Sequence, residues 1–148
     1  MTGAAHELER FVEAQAGSYA QALAELRAGS KRSHWIWYVL PQVQGLGMSG
    51  MSRRYGIASL DEARAYLAHP VLGPRLLECV QAMNAHREEE RGPSAEEILG
   101  GIDARKFRSC LTLFIAAGGE DAVFGEALRR YYGGAADQAT LEILKRQG

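Results

Sequence analysis

A chain of 148 residues, 47% of them apolar, suits one domain that buries roughly two-thirds of its unfolded surface and needs no staple. Seventeen Lys and Arg against eighteen Asp and Glu leave a net charge of −1, which removes any general electrostatic case for nucleic acid or an anionic membrane. Cys79 and Cys110 lack zinc-site or C-x-x-C spacing, the start from Met1 to Arg10 is polar, and no apolar run reaches membrane-spanning length. The expectation is therefore a cytoplasmic protein with reduced, buried cysteines, no metal and no cofactor.

Leu8, Phe11 and Val12 have helical spacing between Glu7 and Gln15; after the Gly17-Ser18 break, Tyr19, Leu23 and Leu26 repeat it as far as Gly29. This predicts an αα-hairpin. Lys31 to Gln42, Lys-Arg-Ser-His-Trp-Ile-Trp-Tyr-Val-Leu-Pro-Gln, holds both tryptophans of the protein beside a histidine, a tyrosine and two cations. A helix is expected here, capped by Ser30 or Ser33 and ended by Pro41, and on it His34 lies over Tyr38 and Lys31 over Trp35. Indole N–H, phenol and imidazole all require partners, so such a cluster either forms a hydrogen-bonded core or lines a pocket. Gln42 to Ser52, with Gly45, Gly47 and Gly50, reads as a flexible loop that leads into Arg53 and Arg54.

Ser59 and Glu62 fit a capping box for a helix buried through Ala63, Tyr66 and Leu67. His69-Pro70 separates it from a helix carrying Leu72, Leu76, Cys79, Val80 and Met83, and His86 to Arg91 reads as a solvated run. Pro93 to Glu97 opens a short helix that Gly100-Gly101 ends. Asp103 reads as the cap of the longest apolar segment, Ala104 to Ala117. Val123, Ala127, Leu128 and Tyr131 mark another helix, and Asp137 or Thr140 opens a last one. No segment alternates as a strand, so the fold class is all-α: a single compact domain over residues 1–148, a bundle of about seven to nine short helices.

Three constellations bear on chemistry. Lys106, Ser109 and Thr112 recur every three residues on an otherwise apolar helix; either Ser109 and Thr112 bond back to carbonyls one turn earlier while Lys106 reaches out to solvent, or the stripe faces the aromatic cluster across a pocket. Gly45-Leu-Gly-Met-Ser-Gly50 matches G-x-G-x-x-G, but Pro41 precedes it and no βαβ unit follows, which excludes a dinucleotide fold; flexible N–H groups followed by Arg53 and Arg54 can still hold a phosphate or carboxylate, or the loop is only a connection. Of the histidines, only His34 sits among aromatics; His69 reads as a helix cap, and His6 and His86 lie in polar surroundings. Asp61, Asp103 and Asp137 read as helix-start residues.

These motifs, with Phe11-Val-Glu-Ala-Gln, Tyr66-Leu-Ala-His-Pro-Val-Leu-Gly and Tyr132-Gly-Gly ahead of Asp137-Gln-Ala-Thr-Leu, resemble the bacterial family known as domain of unknown function 1810, from Leu8 to Leu144. The resemblance implies a compact helical fold and brings no settled activity. Its members are sometimes labelled calpastatin, a disordered inhibitor, whereas this chain is patterned to fold. In helical layout the family is also distantly similar to N-glycosidases related to riboflavin biosynthesis, which act on ribosylated or ADP-ribosylated substrates. Those carry an acid before the histidine, and Ser33-His34-Trp35 does not.

Two functions follow as expectations. In the first, a nucleotide or ADP-ribose-like ligand sits between the aromatic helix 31–42 and the helix 104–117, and the reaction, if there is one, is N-glycosidic hydrolysis. His34 acts as acid/base or hydrogen-bond donor, Trp35, Trp37 or Tyr38 stacks a base, and Lys31, Arg32 and Lys106 hold phosphate or carboxylate, with Ser33, Gln42, Arg53, Ser109 and Thr112 completing the ligand set. In the second, the same residues form a polar-laced core of a non-catalytic interaction module.

Overall fold

The computed structural model describes residues 7–147, so the readings placed on Met1 to His6 lie outside the described residues. The order is α1 (Glu9–Ala16), α2 (Tyr19–Ala28), α3 (Ile36–Val39), α4 (Gly50–Tyr55), α5 (Leu60–Ala68), α6 (Leu72–Asn84), α7 (Ala95–Leu99), α8 (Gly101–Ala116), a π-helical turn (Asp121–Gly125), α9 (Glu126–Tyr132) and α10 (Gln138–Gln147). The class is all-α; among the described residues the only β pairing is two isolated bridges. The ten α-helices among the described residues include three of six residues or fewer, α3, α4 and α7.

α8 is the axis of the core. Phe107, Cys110, Leu111, Leu113 and Phe114 are fully buried along it, and α5, α7, α9, α10 and the π-helical turn all pack on it. Phe114 meets Tyr66 of α5 at 5.3 Å and Phe124 of the π-helical turn at 6.2 Å between ring centroids, so aromatic packing links three elements. α5 and α6 approach so closely at Gly73 that a Cβ there would lie 2.2 Å from the Leu67 carbonyl oxygen. One continuous cluster of buried apolar side chains runs from Leu8 to Leu144.

Several local expectations change. α1 packs chiefly on α3 and α2 on α6, so the two are not a self-contained hairpin. The aromatic run is helical only over Ile36–Val39, and neither Ser30 nor Ser33 caps it, because Glu25 on α2 binds the backbone N–H groups of Arg32 and Ser33 and holds them outside a helix. The glycine loop does not stay irregular through Ser52: the Ser49 hydroxyl accepts from Ser52 N at 3.1 Å and starts α4 at Gly50. Ser59 caps α5 as expected, but Glu62 turns to Ala58 N and to Arg10. Asp103 does not cap α8, which begins two residues earlier; it lies in the first turn with its carboxylate on Lys31.

Other readings match. Ser94 and Glu97 form a reciprocal capping box on α7, His69 Nδ1 accepts from Val71 N and Leu72 N, and Asp137 accepts from Thr140 N. The run from His86 is only partly solvated: its first two residues are tied down, with His86 Nε2 2.6 Å from the Leu26 carbonyl and Arg87 Nε donating to Arg130 O at 2.7 Å.

Candidate functional site

The site begins with a carboxylate that the spacing of motifs does not single out. Glu25, 4% exposed, accepts from Arg32 N at 2.8 Å, Ser33 N at 3.1 Å, Ser33 Oγ at 2.5 Å, Trp35 Nε1 at 2.8 Å and Gln21 Nε2 at 2.8 Å. Burial by itself would raise its pKa, but hydrogen bonds from Ser33, Gln21, the Arg32 N–H and Trp35 outweigh that cost and hold the carboxyl well below the usual carboxylate range. The segment leading into α3 is thus wrapped on one buried anion.

That wrapping places Lys31 against α8. Its Nζ is 2.7 Å from Asp103 Oδ2, donates to Ser33 O at 2.6 Å, and lies 5.0 Å from the centroid of the Trp35 ring. Lys106, one turn along α8, has its Nζ 3.9 Å from Asp103 Oδ1 and 4.7 Å over the Trp37 ring. Asp103 therefore stands between two ammonium groups, each set on a tryptophan face. Lys31 is saturated by these partners and its side chain is 7% exposed; Lys106 makes no hydrogen bond among the described residues and its side chain is 20% exposed.

Trp37 is shared with a second feature. Together with Gln42, Val43, Gly47, Met51, Ser52, Tyr55 and Gly56 it lines a cavity of about 10 Å³ under the glycine loop. Its Nε1 is buried, with no acceptor among the described residues. The excursion between Val43 and Ile57 is closed by a parallel bridge between them, with Gln44 N donating to Ile57 O and Ile57 N to Gln42 O, both at 2.8 Å.

Of the residues picked out by sequence, the structure thus gathers Lys31, Trp35, Trp37 and Lys106 around Asp103, while Gln42 lines the small cavity with Trp37. His34 and Arg32 are exposed at the edge of this segment; neither side chain bonds to a described residue. The Ser33 hydroxyl is used by Glu25. Tyr38 packs on Tyr55 at 5.2 Å, and its hydroxyl donates to the His34 carbonyl at 3.4 Å. Arg53 lies instead in a separate groove of about 240 Å³ with Arg10, Gln44, Arg54 and Glu62. Ser109 and Thr112 bond back to the carbonyls of Arg105 and Arg108, and Thr112 Oγ1 also accepts from Asp137 N, so this stripe binds its own helix and the start of α10.

Sequence reasoning passed over Glu25 and placed Asp103 in a capping role. A signal existed for both: Glu25 shares the spacing of buried Ala22 on α2, and Asp103 stands three residues before Lys106. Among the described residues no group of His, Cys, Asp and Glu is arranged to hold a metal ion, and no helix is long and apolar enough to cross a membrane. Both cysteines are free and buried.

The fold and the lysine–carboxylate–tryptophan cluster define an all-α protein with charged groups set on tryptophan faces beside its central helix. Residues 5–144 match the family described as protein of unknown function DUF1810, and the chain belongs to that family. It is similar to the conserved hypothetical protein Rv1873 from Mycobacterium tuberculosis, whose crystal structure shares 48% sequence identity and a TM-score of 0.88, over 95% of this chain and 97% of that one. No curated protein matches.

Proposed function

We propose that this protein binds a small anionic ligand of the nucleotide or ADP-ribose type where the segment Lys31–Gln42 meets α8. One observation carries the reading: Lys106 holds a partly exposed ammonium group on the face of Trp37, with donors that no described residue takes up. Asp103 balances Lys31 at 2.7 Å and leaves Lys106 at 3.9 Å, so one positive charge is free to meet a phosphate or carboxylate in low-dielectric surroundings. Arg32 and His34, exposed on the segment that carries Lys31, are the further polar groups of the proposed ligand set.

If the protein is an enzyme, N-glycosidic hydrolysis is the reaction these groups suit. The bond from sugar to base breaks as water adds at the sugar carbon, and we assign His34 to protonate the departing base, while Asp103 orders the two ammonium groups it is paired with. The reduced, buried cysteines fit a cytoplasmic setting.

A non-catalytic interaction module is the second reading. The internally bonded hydroxyls of Ser109 and Thr112 favour it, as do Ile102 at 73% and Met48 at 77% exposure.

Thermal unfolding against nucleotides, ADP-ribose and small phosphorylated sugars separates the two. A ligand at about a hundred times its dissociation constant adds about 2.7 kcal/mol, a rise of several degrees for a domain of this size. The rise is expected in the natural protein and is lost in Lys106→Ala. A flat response across the panel refutes the ligand reading.

A further inference from the structure

The far end of α8 carries a larger cavity of the opposite chemistry. It has a volume of about 340 Å³ and side-chain walls of Leu67, Pro74, Leu77 and Phe124, with Glu120 as its one charged residue and Gly73, Gly118 and Gly119 completing it. Gly118 follows Lys106 by about 18 Å of helix axis, and no residue of the lysine–carboxylate cluster lines this space. We infer that the cavity binds a small organic cation, an ammonium group on a compact apolar body, independently of the anionic ligand proposed above.

The lining presents acceptors and apolar surface. No basic, hydroxyl or amide side chain belongs to it. Its glycines can offer main chain alone, and their N–H groups are taken: Gly118 N donates to Ile115 O at 3.0 Å, Gly119 N to Phe114 O at 2.8 Å and Gly73 N to His69 O at 3.1 Å. Phe124 N is bound to Glu120 O, and Pro74 has no N–H. What remains is the Gly118 and Gly119 carbonyls, to which no described residue donates, and the exposed Glu120 carboxylate, unpaired among the described residues. Two helix ends add to this field. α5 closes beside Leu67 and α8 just before Gly118, and neither has a basic residue in its last turn to offset the negative end of its dipole. Arg75 of α6 and Arg129 of α9 are engaged elsewhere, over the Tyr19 ring and with Asp121 at 3.3 Å. An anion finds no charged donor here, whereas an ammonium group finds carboxylate and carbonyl oxygen, and its body finds the apolar walls.

Close backbone approach fixes those walls. A Cβ at Gly73 would lie 2.2 Å from Leu67 O, and one at Gly119 would lie 2.7 Å from the Phe124 ring, so the space is formed before any ligand arrives. Its volume is near the lower end of small-molecule sites, roughly 300–1,000 Å³, which suits a single ring on a short chain.

Phenethylamine, phenethyl alcohol and phenylacetate share that body and differ in charge. Each is titrated into the isotope-labelled protein and followed by amide-resolved NMR, with Glu120→Gln and Glu120→Lys beside the natural chain and thermal unfolding to confirm that both variants fold. The amine is expected to give saturable shifts centred on Gly118, Gly119 and Phe124, with the alcohol and the carboxylate about tenfold or more weaker. Its affinity should fall about threefold to fivefold in Glu120→Gln and further in Glu120→Lys. Alcohol or carboxylate binding as tightly as the amine overturns the inference, as do shifts that fail to saturate or that centre elsewhere, and an amine affinity unchanged in both variants. Lys106→Ala, which removes the anionic ligand of the other site, should leave the amine titration as it is.

Discussion

Replacing Glu25 tests whether one buried anion organises the aromatic segment. In Glu25→Ala five hydrogen bonds disappear. Exposed Arg32 and Gln21 regain water at little cost, but Trp35, 1% exposed, keeps a stranded indole N–H. A stranded buried donor costs about 1–3 kcal/mol, and lost packing at the carboxylate adds to it, so the expected loss is about 2–4 kcal/mol. For a domain near 150 residues this lowers Tm by roughly 6–12 °C, with Trp emission shifted to the red as Trp35 meets water. Glu25→Gln keeps an acceptor and loses less.

The sign of the pH dependence follows from the same geometry. Hydrogen bonding depresses the folded-state pKa below its ordinary value of 4.5, so the unfolded chain takes up the proton first. Glu25's contribution is therefore complete above pH 4.5, erodes as pH falls below that value, and is absent in Glu25→Gln. Urea unfolding of the three proteins from pH 7 to pH 3 measures this directly. A Glu25→Ala variant within about 2 °C of the natural protein, with unchanged emission, refutes the reasoning.

Other substitutions separate close alternatives. Thr112→Val should cost about 1–2 kcal/mol because it strands Asp137 N, while Ser109→Ala, losing only a bond to its own helix, should stay within about 1 kcal/mol; equal losses on urea unfolding contradict the assignment. Gly73→Ala should lower stability by about 2 kcal/mol or more, since the added methyl meets backbone rather than a movable side chain, and an unchanged Tm removes that contact from the account. Burial pushes the Cys79 thiol up to about 12 and Cys110 well above its ordinary value, so both should resist an aromatic disulfide reagent at pH 8 and react only in denaturant; prompt labelling of the folded protein shows the core to be open.

The helical character of the chain was legible because it rests on periodicity and caps, which act within a few residues. Ser59, Ser94 and His69 do at their helix starts what their local chemistry demands. The aromatic segment was not legible in the same way. Its spacing suits a helix, and its backbone donors are instead drawn to Glu25, seven and eight residues earlier in sequence and one packing contact away. Asp103 shows the same limit: an acid near a helix start reads as a cap until Lys31 arrives from another element.

By itself, then, the sequence determined the all-α class, the central place of the helix around Phe107 and Phe114, and the aromatic, basic character of Lys31 to Gln42. Apolar spacing and residue type carry those properties and survive any arrangement of the parts. Only tertiary structure decided that Lys31 and Lys106 share one carboxylate, that Ser109 and Thr112 turn back on their own helix, and that the Trp37 N–H is buried with no acceptor among the described residues. A polar side chain takes the best partner that packing brings within about 3 Å, and which partner that is depends on contacts tens of residues apart.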